Sequence, residues 1–251
     1  MAQIRGRMEI DLLTINTWKC DGDYFNRRKV LAAGLRKMSF TDRVIFCQEC
    51  FQTIDGEVDT LRYLSDELNI PGYFAKTRRK HRSLAGTCTD SYSGLGILTN
   101  LPVSSRTTIE LPSSPADGGR VAQLLTLELA PGRSMLVVNV HLTHLRNGQE
   151  LRIRQLVSIL REISPSSAHI QIIGGDFNAE ENSREIQLLK EEGPVLHTAS
   201  HWVDHLLIIR PAAEPYPQFT SSVTVLDQPD AENGLYPSDH FGVHAHLLAT
   251  D

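Results

Sequence analysis

Short aliphatic and β-branched runs recur along the whole chain, some divided by a turn and others by a stretch of helical spacing. That alternation limits the fold more than any other feature. Runs at 9–15, 44–49, 94–99, 121–129, 135–141, 169–174, 203–209 and 241–248 read as buried strands. Segments 27–38, 57–68 and 148–163 place Leu, Ile, Val or Met at helical intervals and read as amphipathic helices, with a shorter one at 183–191. Strands with no helix between them, 94–99 with 103–109 and 121–129 with 135–141, are expected to form antiparallel hairpins. Run 135–141, a helix and run 169–174 are expected to form a parallel crossover. Both pairing types together predict mixed sheets, and about ten strands fit two packed sheets better than one wide one.

The 251 residues are 41% hydrophobic and 22% charged, with a net charge of -5. Those values exclude a disordered chain, a collagen, a coiled coil and a disulfide-stapled scaffold. No repeat or linker divides the chain, so one domain over 1–251 is expected. Cys47 and Cys50 stand as a CxxC pair with no second pair to complete a zinc site, and the cysteines read as reduced thiols. Together with the lack of a secretory apolar core or a membrane-length run, this predicts a cytoplasmic, monomeric protein with no membrane insertion. The mild acidity argues against coating nucleic acid by charge alone. Segment 76–82, KTRRKHR, is the exception, and it reads as a solvated loop or an anion-steering one. Segment 211–238 carries five prolines around a candidate strand at 219–226 and reads as a long surface loop with a hairpin.

The polar residues sit at the ends of the apolar runs. Asn16, Glu49, His141 and Asp176 each follow a strand, with His144 and Asn178 shortly after, and Asp239-His240 precedes the last strand. A carboxylate behind a buried strand is costly unless it is solvated, paired or bound to metal. If the strand ends share a rim, Glu49, Asp176 and Asp239 repel one another unless a cation sits among them. Oxygen donors with amides beside them suit Mg²⁺ or Mn²⁺ better than zinc, and the imidazoles can hold phosphate oxygens or move protons. These residue types point to metal-assisted phosphoester hydrolysis.

The same residues, in order, resemble a known family. Thr14-Ile15-Asn16-Thr17-Trp18, Gln48-Glu49, Ser93-Gly94-Leu95-Gly96, Asn139-Val140-His141, Gly175-Asp176-Phe177-Asn178-Ala179, Asp204-His205 and Ser238-Asp239-His240 are similar to the motifs of the endonuclease/exonuclease/phosphatase superfamily. The resemblance implies an α/β four-layer sandwich, two mixed β-sheets face to face with helices on both outer sides. It implies Glu49 as the main metal ligand, with Asn16 and Asp239 beside it. It implies that Asp176 orients or deprotonates the attacking water and that Asn178 holds that water or the phosphate. His240, supported by Asp204, would meet the scissile phosphate, His141 would stand near the leaving group, and His144 would make a polar phosphate contact. Arg120 is expected either at the site or on a hairpin surface.

Other polar residues read more plainly. His201 and His205 lack the HExxH glutamate and are not expected to form a zinc helix. His205 is expected to pack beside Asp204, His244 and His246 to lie on a sheet surface, and Trp18 and Trp202 to belong to the core. The expected activity is a metal-dependent phosphodiesterase on nucleic acid or a nucleotide-like diester. The alternatives are a hydrolase of phospholipid head groups or sugar and inositol phosphates, or a domain that binds without catalysis.

Overall fold

The computed structural model describes residues 7–38, 40–191, 193–210 and 216–250. Part of the proline-rich stretch expected as a loop, 211–215, lies outside them. One six-stranded sheet runs in the order β11 (Gln218–Val225), β12 (Gly242–Thr250), β1 (Arg7–Asn16), β2 (Arg43–Thr53), β4 (Thr87–Thr99) and β3 (Gly72–Leu84). The second runs β5 (Val103–Leu111), β6 (Arg120–Ala130), β7 (Arg133–His141), β8 (Ile170–Asp176), β10 (Asp204–Ile209) and β9 (Val195–His201). Each contains one parallel pair, β1 with β2 and β7 with β8, and is otherwise antiparallel. The helices are α1 (Tyr24–Lys37), α2 (Thr60–Leu68), α3 (Gln149–Ile163) and α4 (Arg184–Glu191).

Side-chain alternation explains the layers, because successive residues of a strand point to opposite faces. Ile10 and Leu12 of β1, Val44 and Phe46 of β2, Met135 and Val137 of β7, Ile170 and Ile172 of β8, and Leu206 and Ile208 of β10 fill the space between the sheets. Residues of the other parity face outward. Leu13, Ile15 and Ile45 pack with Leu31 and Leu35 of α1 and Leu61 and Leu64 of α2. Val138, Ile173 and Leu207 pack with Leu156 and Ile159 of α3 and Ile186 of α4. Each such side chain contributes roughly 1.5–3 kcal/mol by leaving water. The four-layer sandwich is the fold.

Two expectations fail. Strand 94–99 does not pair with 103–109. Both edges of β4 are taken, by β2 and by β3, so the chain leaves through Asn100–Pro102 and begins the other sheet with β5. Segment 76–82 is not a loop but part of β3, an edge strand paired with β4 from Gly72 to Leu84. Its charged side chains hide the strand period, and the backbone ladder to β4 supplies what the apolar pattern does not. The 121–129/135–141 hairpin and the 135–141/169–174 parallel crossover are present.

Candidate active site

The parity that fills the seam between the sheets also builds the site. Continuing the inward positions to the strand ends gives Asn16 on β1, Gln48 on β2, His141 on β7, Asp176 on β8 and Asp204 on β10. The register sets His141 opposite Asp176 and Asp176 opposite Asp204, so three side chains stand in a row across one sheet. Asn16 reaches from the other sheet and donates from Nδ2 to Asp176 Oδ2 at 3.0 Å. Deeper in the seam, Gln48 Nε2 donates to Asn139 Oδ1 at 2.8 Å, and Asn139 Nδ2 donates to the Cys47 and Gly96 carbonyls. These buried amides fix how the two sheets meet.

Local backbone features aim the remaining groups. Between Cys47 and Cys50 the register of β2 shifts, and Glu49 there adopts φ 56°. Such a bulge re-aims a side chain, and Glu49 enters a cleft lined by Lys19, Arg78, Ser93, Arg120 and His141. Lys19 Nζ lies 2.6 Å from Glu49 Oε1. Gly175, at φ +149°, has no room for a Cβ, which would come 2.0 Å from the Val140 carbonyl oxygen of the neighbouring strand. Asn178 at φ 50° turns its backbone N–H onto Asp176 Oδ1 at 2.8 Å and its side-chain amide onto the Leu142 carbonyl at 3.0 Å, an Asx turn that also immobilises the carboxylate.

His240 closes the row. Its Nδ1 lies 2.7 Å from Asp204 Oδ2 and its Nε2 lies 4.0 Å from Asp176 Oδ2, while His141 Nε2 lies 3.5 Å from the same oxygen. Burial opposes charge on His240, but the Asp204 hydrogen bond and the nearby carboxylates win and raise its pKa to about 9. Burial lifts Asp204 to about 7 despite the His240 hydrogen bond. Burial also raises Asp176, with His240, the Asn178 N–H and Asn16 pulling the other way. His141 goes far in the opposite direction, well below the usual imidazole value, because burial and then Arg120 and Lys19 disfavour its cation. The row therefore holds one cationic imidazole and one neutral one.

Arg120 lines the cleft that Glu49 enters rather than a hairpin surface. It is buried, pairs with Asp117 and donates to the His141 carbonyl at 3.2 Å. His144 stays one step out, exposed, touching Arg120 at 2.7 Å and Asp117 at 3.0 Å. Asp239 is exposed and joins the rim through its neighbour Ser238, whose hydroxyl donates to the Asn16 carbonyl at 2.5 Å and lies 3.3 Å from Asp239 Oδ1.

Among the described residues, the set of three acidic and imidazole groups whose atoms all lie within 4.8 Å of one another is Asp176, Asp204 and His240. His240 Nδ1 is already engaged by Asp204, so this trio acts first as a hydrogen-bonded chain. The donors of Glu49, Asn16 and Asp239 are all oxygens. The nearest thiols, Cys47 and Cys50, are buried in the apolar layer under α1 and α2. Asn16 Oδ1 keeps a lone pair beyond its 3.0 Å bond from the Trp18 N–H. That donor chemistry fits a hard divalent cation.

Two of the plainer expectations, those for Trp202 and His205, are overturned. Trp202 is not in the core. It sits at the β9–β10 turn, 58% exposed, with its ring 5.3 Å from that of His240. A left-handed turn position, φ 53°, leaves it no interior to enter. His205 has the outward parity of β10, so it turns away from Asp204, meets Phe177 edge-on and bonds the Ala179 carbonyl at 2.7 Å. His201 approaches Thr224 instead of pairing with His205. His244 and His246 do lie on the sheet surface, sharing Asp11.

Sequence reasoning missed Lys19, Asp117 and Arg27, and singled out Arg78 only as part of the basic run 76–82. Arg27, buried on α1, donates to the carbonyls of Thr17, Trp18, Asp21 and Pro237, clamping the loop after β1 to the loop that carries Asp239 and His240. A buried arginine on an otherwise apolar helix face was the available signal.

The sequence model of the Endonuclease/Exonuclease/phosphatase family matches residues 16–240. Among solved structures, the human nocturnin catalytic domain with bound sulfate is similar at TM-score 0.73 and 17% identity, covering 99% of this chain and 97% of that one. A humanized D. rerio TDP2 follows at TM-score 0.71 and 17% identity, with 95% and 98% covered. A Bacteroides thetaiotaomicron mannosyl-6-phosphatase is similar at TM-score 0.70 and 16% identity, with 95% and 99% covered. No curated protein matches the sequence. The structural likenesses establish the fold, and the sequence match runs from Asn16 to His240, the two ends of the rim. The chain belongs to the endonuclease/exonuclease/phosphatase family.

Proposed function

We propose that the chain is a divalent-metal-dependent phosphodiesterase acting on nucleic acid or a nucleotide-like diester. The observation that carries this reading is the row His141, Asp176 and Asp204–His240 across one sheet, tied to Asn16 of the other. Asp176 is immobilised by Asn16 and Asn178, and burial raises its affinity for a proton. It suits a group that orients a water and takes its proton as the oxygen attacks phosphorus and the opposite P–O bond breaks. His240, kept cationic by Asp204, faces the oxygens on which charge grows. Neutral His141 offers a hydrogen bond to the leaving oxygen, and Arg120 adds fixed positive charge beside it. Glu49, Asn16 and Asp239 would hold Mg²⁺ or Mn²⁺. A cation bound there neutralises phosphate charge and lowers the basicity of the leaving oxygen.

The likeness to a protein named as a mannosyl-6-phosphatase supports a sugar phosphate as the second reading. A hydrolysis panel in Mg²⁺, Mn²⁺ or EDTA separates them, using bis(4-nitrophenyl) phosphate, single- and double-stranded DNA, RNA, sphingomyelin, inositol phosphates and a hexose 6-phosphate. Diester cleavage lost in EDTA and in Asp176→Asn is expected. Cleavage that survives EDTA contradicts the metal role, and cleavage of sugar phosphates alone favours the second reading.

A further inference from the structure

The segment the hydrolase site leaves unused is the basic run on β3. Beyond the register shift at Lys76–Arg78, Arg78 pairs with Ser93, Lys80 with Ser91 and Arg82 with Thr89, which sets these three cations on one face of the β3–β4 hairpin. Arg79 takes the other face and is neutralised by Asp90. The three are spaced about 6.5–7 Å apart, two residues of a strand per step. The line ends on the cleft of Glu49 and His141, where Arg78 meets Arg120 and Lys19.

This face is short of negative charge. Glu49 is paired with Lys19 and Asp117 with Arg120, and Arg78 bonds the Asp117 carbonyl rather than a carboxylate. Arg82 reaches Ser93 Oγ at 2.8 Å, yet its Nε is buried with no hydrogen-bond partner. Repulsion from Arg78, then burial, then Arg82, Lys19 and Arg120 holds the Lys80 ammonium below the ordinary lysine pKa. In a chain of net charge -5, five cations with two carboxylates between them form a local excess that an anionic ligand relieves.

We infer that Arg78, Lys80 and Arg82 form a track for successive phosphates of a single nucleic-acid strand, leading along the β3–β4 hairpin to the scissile phosphate. This rests on the phosphodiesterase reading. Regular spacing along a strand suits phosphates separated by sugars, whereas a compact polyphosphate presents its charges at one point. The track carries cations without exposed aromatic rings, so it grips backbone and reads no sequence.

The test is fluorescence anisotropy of a labelled short oligothymidylate in EDTA across a salt series. Wild type, Lys80→Ala/Arg82→Ala and Arg79→Ala are compared. Each lost phosphate contact lowers the magnitude of the slope of log Kd against log salt by about 0.7 for a single strand, so the double variant should lose about 1.4. Its Kd should rise about tenfold at moderate salt, and Arg79→Ala should track wild type. Equal slopes for wild type and the double variant overturn the inference. So does inositol hexakisphosphate displacing the strand far below the strand's own Kd. Turnover of bis(4-nitrophenyl) phosphate, which has one phosphate, checks the other reading separately. Its absence in wild type sinks the phosphodiesterase proposal while binding still reports on the track.

Discussion

Arg27 and Pro237 stand 210 residues apart in the chain and are joined by a 2.9 Å hydrogen bond from Nη1 to the proline carbonyl. That bond, with those to Thr17, Trp18 and Asp21, makes one guanidinium the fastener between the first and last loops of the rim. Arg27→Met keeps the apolar stem but leaves these buried carbonyls unpaired. The variant should lose about 2–4 kcal/mol in urea unfolding. Its residual folded fraction should also show a raised KM, because Asp239 and His240 are no longer held.

The Asp204–His240 bond fixes a pH dependence. The pKa of His240 is raised to about 9 from an unfolded value of about 6.5. Its contribution to stability is therefore complete below about 6.5 and is lost as pH rises through about 9. NMR titration of the metal-free protein should place the His240 ring transition near 9. In Asp204→Asn, with burial now unopposed by the carboxylate, it should fall to or below the ordinary value. A wild-type transition near 6.5 contradicts the assignment.

Asn139→Ala removes the donor shared by the Cys47 and Gly96 carbonyls and the acceptor of Gln48. The expected cost is about 2–3 kcal/mol. Because the bulge at Glu49 starts beside Cys47, metal affinity measured by calorimetry should weaken as well. Unchanged affinity would separate the seam from the cleft.

Gly175→Ala asks a Cβ to overlap the Val140 carbonyl at a φ that L residues rarely adopt. The protein should be insoluble or unfolded in circular dichroism at ordinary temperature. Native-like spectra with wild-type turnover would show that the strand end can move.

Trp202→Ala should change stability by less than about 0.5 kcal/mol, since the ring is largely in solvent. Its contact with His240 predicts a higher KM for aryl diesters, read by comparing aryl with alkyl leaving groups.

Most of the rim was legible because strand period and polar strand ends are written in the sequence. Asn16, His141, Asp176 and Asp204 continue the parity of the apolar residues before them, so their inward direction follows from counting. What could not be read depends on the third dimension. β3 carries no apolar stripe, since its order comes from β4. β4 and β5 lie in different sheets because β4 has no free edge. Trp202 escapes the core through a backbone turn, and Asp117 gains its importance by meeting Arg120, His144 and Arg78 in space. Asp239 reaches the rim through Ser238 and stays exposed, a placement that strand period does not give.

The Asn16–Asp176 bond spans two sheets that share no backbone ladder in the described residues. Turnover therefore gauges the whole assembly: sliding one slab against its mate by a fraction of a residue silences the enzyme before any strand melts, whereas fraying at a helix tip goes unnoticed.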